Sequence, residues 1–200
     1  GWDRRVVVTI VMMGTTYFVF KFLRYALDSW SPLIIEELFG LAPDRAGYMS
    51  TLFDWVGFAG VLAAGWLSDR LFKGRRYQMM VIMTVGMVTA FIFLALVGVH
   101  SVVWFAVGLA LCGFMLMGPD SLLAGAGAID VGGRTGAIVA AGIINGLGSI
   151  GPIFQEEVIG WMLDNQGMDA AFNLLIWVSI PAVVGTLALA RRSRKGLSNL

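Results

Sequence analysis

The sequence predicts an all-α membrane protein: six transmembrane helices that form two inverted three-helix units. Three observations carry that prediction. Apolar residues fill 58% of the 200 positions and mean hydropathy is +0.81, more apolar surface than a soluble domain of this length can bury. They collect into six stretches, each long enough to cross a bilayer at roughly 20 residues per crossing. Finally, Gly65-Trp66-Leu67-Ser68-Asp69-Arg70 at the end of the second stretch is echoed 95 residues later by Gly160-Trp161-Met162-Leu163-Asp164-Asn165 at the end of the fifth. The same offset brings the start of the first stretch near that of the fourth, and the third near the sixth. A unit repeated three spans later enters the membrane in the opposite sense.

Residues 1–5 are a polar start, and about 6–35 form the first span, long enough that its ends emerge or the helix tilts. Pro32 and the acidic pair Glu36 and Glu37 are expected to close it. Residues 36–45 form a loop in which Pro43-Asp44 reads as a helix start. The second span, about 46–68, carries Asp54, and the basic loop 69–76 follows. The third, about 77–98, holds no charge, and residues 99–101 connect it tightly to the fourth, about 102–129. Gly118-Pro119, before Asp120, is expected to break or bend that helix. Residues 130–134 are the next loop, and the fifth span, about 135–163, is rich in Gly and Ala. Loop 164–169 and a sixth span, about 170–190, lead into a basic tail at 191–200. Residues 1–200 thus read as one six-helix domain. Trp30, Trp66, Trp104 and Trp161 fall near span ends, as an aromatic belt requires.

With both termini on one side, that side holds Arg4, Arg5, Arg70, Lys73, Arg75, Arg76, Arg134, Arg191, Arg192, Arg194 and Lys195, and the other holds Arg45 alone. This asymmetry makes both ends cytoplasmic by the positive-inside rule. The chain begins at Gly1 rather than Met and shows no signal-peptide pattern, so it reads as a fragment. Its short connections fit a bacterial inner (cell) membrane.

Tyr17, Lys21, Arg24 and Asp28 stand at i, i+4, i+7 and i+11 in the first span, which sets them in one stripe of a helix. A cation at the bilayer centre costs roughly 2.5–3.5 kcal/mol on insertion scales, so two on one face require something anionic to meet them. The stripe reads as an anion-binding wall. Arg offers a planar fork of donors suited to phosphate oxygens, and Lys adds a point charge one turn away. The plainer alternative is a buried pair of Arg24 with Asp28, four residues on. Asp28 pairs well with only one cation, which leaves the other free or bound to Asp54. Asp54, roughly 12 Å along its helix at ~1.5 Å per residue, reads equally as a static ion-pair partner or a switching group. Asp120 reads as a counter-ion for Lys21 or as a member of a gate. Asn145, in Gly142-x-x-Asn145-Gly146-x-Gly148, offers an amide to a hydroxyl, while close helix packing through the small residues explains the segment as well.

The loop Gly65-x-x-x-Asp69-Arg70-x-x-x-Gly74-Arg75-Arg76 joins the second and third spans. A Gly there lets two helices approach, and the Asp can cap a neighbouring helix or pair with Arg across a cytoplasmic gate. The spacing resembles the loop motif of the major facilitator superfamily, with slightly more residues before the final Gly-Arg-Arg. The resemblance continues through RYALDSWSP, STLFDWVGFAGVLAAGWLSDR, GFMLMGPDSLLAG and AAGIINGLGSIGP. Together these are similar to the second half of the organophosphate:phosphate antiporters, in order and over nearly the whole chain.

That resemblance implies the C-terminal six-helix half of a major-facilitator fold. It implies antiport, by alternating access, of glycerol-3-phosphate or a sugar phosphate against inorganic phosphate. Arg24 matches the family's phosphate-binding arginine, and Asp54 an acidic residue of the pocket's salt bridges. Lys21 stands where bacterial glycerol-3-phosphate members carry tyrosine and some eukaryotic relatives carry lysine. Met117 and Ser149 replace tyrosines of those bacterial members. These departures concern the organic part of the substrate and leave the phosphate end intact. The implied partner is an N-terminal six-helix half, in the same chain or separate. A sugar-phosphate sensor of the same fold is the alternative.

A net charge of +1 gives no argument for nucleic acid. The single cysteine, Cys112, lies in an apolar run and reads as core packing. There is no metal-ligand spacing, no phosphate-cradling Gly-Lys-Ser/Thr loop and no nucleophile–base pair, so neither a cofactor nor an enzymatic activity is expected.

Overall fold

The computed structural model describes residues 2–73 and 75–194. Gly74 of the loop motif, Lys195 with the rest of the tail, and the Arg134 side chain lie outside the described residues. Among the described residues all regular structure is helical: α1 (Arg4–Phe39), α2 (Pro43–Ser50), α3 (Leu52–Leu71), α4 (Arg76–Leu96), α5 (Val102–Ala124), α6 (Ala126–Gln166) and α7 (Met168–Arg194). A short 3-10 turn at Gly98–His100 precedes α5. Six stretches are long and apolar enough to cross a membrane: Arg4–Phe39, Pro43–Leu71, Arg76–His100, Val102–Gly133, Thr135–Gln166 and Met168–Arg194.

The helix ends follow glycine more than proline. α1 runs through Pro32 and stops where Gly40 turns left-handed at φ 62° and returns its N–H to the Glu36 carbonyl at 2.8 Å. Pro32 therefore does not close the first span; an interior proline removes one hydrogen bond, and the apolar surface on either side holds the helix together. Pro43 does start α2, where its fixed φ suits the first turn and its missing donor is not needed. α5 likewise passes through Pro119 and ends at Ala124, so the break falls at Gly125 instead of Gly118-Pro119. The connection expected at 130–134 contracts to Gly133, whose φ of 67° and ψ of −176° interrupt the helical run of α6. α7 continues to Arg194, which makes the start of the expected tail helical.

The most extensive packing joins α1 to α6 and α3 to α5, with α4 against α5 and α7. Exchanging the first three spans with the last three turns the α1/α6 contact into the α5/α3 contact and leaves α4/α7 unchanged. The packing thus has the pseudo-two-fold symmetry that the repeated hexapeptide implies.

Glycines set how close these pairs come. A Cβ at Gly60 would fall on the Phe114 carbonyl oxygen, and one at Gly113 on the Phe53 carbonyl oxygen, so α3 and α5 meet backbone to backbone. Gly148 lies against the Tyr17 ring and Gly151 against the Phe18 carbonyl, which does the same for α6 on α1. In lipid, where apolar surface is no worse solvated than in a core, such van der Waals contact holds helices together. Gly65, Gly142 and Gly146 have nothing within 4 Å of an added Cβ, so the close approach expected of them is made by other glycines. Nine residues separate Gly142 from Gly151, which puts them on opposite sides of α6.

Candidate functional site

Exposure rises along the α1 stripe: Tyr17 is buried, Lys21 and Arg24 are intermediate, and Asp28 is exposed. α5 and α6 bring the partners. Arg24 Nη1 donates to Asp120 Oδ2 at 3.0 Å, and the two side chains differ in access, 33% exposed for the arginine and 6% for the aspartate. The pair is sealed on its acidic side and open on its basic side. Arg24 Nε and Asp120 Oδ1 are buried without a partner. Lys21 Nζ donates to Ser149 Oγ at 2.9 Å, and Ser149 donates in turn to the Asn145 carbonyl at 2.8 Å. The same ammonium sits 5.0 Å from the Tyr17 ring centroid, within cation–π range.

Two pairings differ from those expected. Asp28 is not the partner of Arg24: α1 turns it outward, while α5 presents Asp120 from the buried side. Asp120 is not the counter-ion of Lys21 either, because the ammonium is held by a neutral hydroxyl. Asp54 is exposed on α3 and pairs with no cation among the described residues, although the charges of Asp28 and Arg24 reach it. The Asn145 amide donates to the Ala141 carbonyl of its own helix at 3.0 Å. Met117 is buried against Gly57. Ser149 had two signals in the sequence, its place one turn after Asn145 and its match to a tyrosine of the resembled family, and neither named Lys21 as its partner. The signal for Asp120 was stronger: a carboxylate deep in an apolar span needs a cation.

At the end of the bundle rich in Arg and Lys, Arg76 pairs with Asp130 Oδ2 at 2.6 Å and with Asp69 Oδ1 at 3.6 Å. This ties the start of α4 to the end of α3 and to the first turns of α6. Asp130 had not been singled out; an isolated acid in a glycine-rich connection facing a basic loop was the available signal. Arg70 lies over the Trp66 ring at 5.1 Å instead of reaching an acid. Arg75 lines a cavity of about 370 Å³ with Tyr77, Gln78, Ser193 and Arg194. Of the four charged residues of the loop motif, Asp69, Arg70, Arg75 and Arg76, Asp69 and Arg76 come together.

Lys21, Arg24 and Asp120 carry a formal charge of +1 between them, with a guanidinium partly open to the outside. That arrangement can accept an oxyanion. No three His, Cys, Asp or Glu side chains cluster to hold a metal ion among the described residues.

Residues 2–128 match the family described as Major Facilitator Superfamily. The glycerol-3-phosphate transporter of Bacillus subtilis (strain 168) is 31% identical over 164 residues, which cover 82% of this chain and 37% of that protein. The membrane sensor protein UhpC of Escherichia coli (strain K12) is 28% identical over 180 residues, 90% of this chain and 40% of that protein. A solved auto-inhibited POT family peptide transporter superposes with a TM-score of 0.73 at 23% identity, over 95% of this chain and 38% of the other. At that identity the likeness concerns the fold alone. The chain spans about two fifths of the length of the relatives it matches.

Proposed function

The chain belongs to the Major Facilitator Superfamily, and from that premise we propose that it is the C-terminal half of an antiporter. The antiporter exchanges a phosphorylated small molecule, glycerol-3-phosphate or a sugar phosphate, for inorganic phosphate. One observation carries the reading: Lys21 and Arg24 share a face of a membrane-spanning helix, and a single carboxylate, paired with Arg24, stands against their two charges. An anion is the missing partner. The fork of Arg24 takes two phosphate oxygens in place of its one bond to Asp120, and Lys21, oriented by Ser149 and Tyr17, adds the second charge. The N-terminal half supplies further basic residues on the opposite wall. The similarity to a glycerol-3-phosphate transporter supports this substrate class.

Exchange follows from charge. Closing the empty cavity takes under-neutralised cations away from water, which is costly. Bound phosphate balances them and lets the two halves rock past one another, so the carrier reorients loaded and waits when empty. The Arg-rich end faces the cytoplasm, and the Arg76 cluster with Asp69 and Asp130 fastens that side. The membrane is a bacterial inner membrane, and no bond of the substrate is made or broken.

The test uses the protein at its native length in proteoliposomes loaded with phosphate. Uptake of labelled phosphate should require internal phosphate and fall when glycerol-3-phosphate or glucose-6-phosphate competes. Arg24→Ala should abolish exchange while the protein keeps its monodisperse profile; unchanged exchange refutes the role of Arg24. The similarity to a membrane sensor favours one second reading, a sugar-phosphate receptor. Binding without exchange would establish it.

A further inference from the structure

We propose that Asp120 makes anion binding proton-coupled: as phosphate takes Arg24, Asp120 takes up one proton from water. The inference rests on the reading of Arg24 as the phosphate ligand. Asp120 is 4% exposed, within the span Val102–Gly133, and only one of its oxygens has a donor. That donor is Arg24 Nη1, while Oδ1 is buried with nothing to accept from. The charges acting on Asp120 are Arg24 and Lys21, and Tyr17 also faces it; all three come from α1. Asp54 of α3 is exposed and lies in the field of Arg24 and Asp28, and Asp28 is itself exposed. Lys21 is engaged with Ser149, so among the described residues no other cation is placed to replace Arg24 at Asp120.

Phosphate that turns the Arg24 fork toward itself removes the one hydrogen bond Asp120 has. An ionised Asp120 would then be a buried carboxylate without a donor, the state a protein interior tolerates least. Formal charge gives the same answer. Lys21, Arg24 and ionised Asp120 sum to +1, and a phosphate dianion would bring the site to −1. One proton on Asp120 brings it to zero. In the exchange, a water-borne proton forms an O–H bond on the carboxylate, and the Arg24 N–H···O bond passes from Asp120 to the phosphate. The new O–H can donate to a phosphate oxygen, which gives Asp120 a partner in the loaded state as well. The carboxylate thus acts as a resident anion that leaves electrostatically, by protonation, without leaving its place.

The experiment is calorimetry of glycerol-3-phosphate binding to the purified native-length protein at pH 8, in phosphate-free buffers of different ionisation enthalpy. The ligand's second ionisation lies near pH 6, so at pH 8 it is a dianion and takes up few protons itself. The dependence of binding heat on buffer enthalpy counts protons taken up. The expected result is about one proton per ligand for the wild type, with affinity falling up to tenfold per unit of rising pH, the limit for one linked proton. Asp120→Asn should bind with no proton uptake and no such pH dependence, and Asp120→Glu should keep both. Wild-type binding without proton uptake overturns the inference and leaves the phosphate reading standing, as does uptake undiminished in Asp120→Asn. A wild-type count of zero overturns the inference even if Asp120→Asn does not fold, and Asp120→Glu, whose longer side chain shifts the pH dependence, then tests the residue. No binding by the wild type overturns the phosphate reading itself.

Discussion

Arg24 and Lys21 stand one turn apart on α1, each beside a tyrosine ring, and differ in their polar partner: a carboxylate for Arg24, a hydroxyl for Lys21. The difference assigns them different work. A guanidinium matches two oxygens at once, an ammonium only one at a time. Arg24→Lys keeps the charge and removes the fork, at a loss of about 1.5–3 kcal/mol for one charge-assisted hydrogen bond. Exchange should then fall roughly ten- to hundredfold, read as initial uptake rate at equal reconstituted protein. Both cations were legible in the sequence because charge inside a membrane is expensive and therefore conspicuous. Their partners were harder to read. Asp28 has the right spacing for Arg24 on a helix, yet the tertiary packing decides which side of α1 meets protein, and that side faces Asp120. Ser149 was illegible as a partner, because a hydroxyl costs little in a helix that can return its proton to a carbonyl one turn back.

The helices themselves were legible as apolar runs, and their ends were less so. Pro32 looked like a terminator and Pro119 like a break or bend, yet both lie inside α1 and α5, whereas Gly40, Gly125 and Gly133 mark the actual breaks. A proline costs a helix one donor, and burial along the rest of the span outweighs that loss. A glycine outside the helical region, left-handed at Gly40 and at positive φ with extended ψ at Gly133, removes the helical direction altogether. Which glycines serve packing was also beyond the sequence, since small residues occur on several faces of α3 and α6. The structure separates them, and a pair of substitutions tests the separation. Gly113→Val drives a side chain into the Phe53 carbonyl and should lower stability by about 1–3 kcal/mol. Gly65→Ala enters open space and should stay within about 0.5 kcal/mol. Thermal unfolding in detergent measures both.

Across the whole molecule, the hexapeptide echo made a symmetric packing legible, because a repeated unit repeats its contacts, but the pairing of α1 with α6 and of α3 with α5 is seen only in the structure. Orientation is testable at this scale with single cysteines. Cys112 is fully buried, so within these residues an impermeant maleimide should report only an introduced thiol. Ala42→Cys should label on intact cells and Lys73→Cys only after the cells are opened; the reverse pattern would invert the proposed topology. The crossed pairing also governs how the chain matures as it leaves the ribosome. α1 enters the bilayer long before α6, its main neighbour, has been synthesised, and α3 waits in the same way for α5. The first three spans are therefore a lipid-solvated waiting state, kept inserted by their own backbone hydrogen bonds. Consolidation begins with the arrival of the fourth span and finishes with the sixth, which packs on α4 and α1, so a ribosome stalled midway leaves inserted helices without their main neighbours in this half.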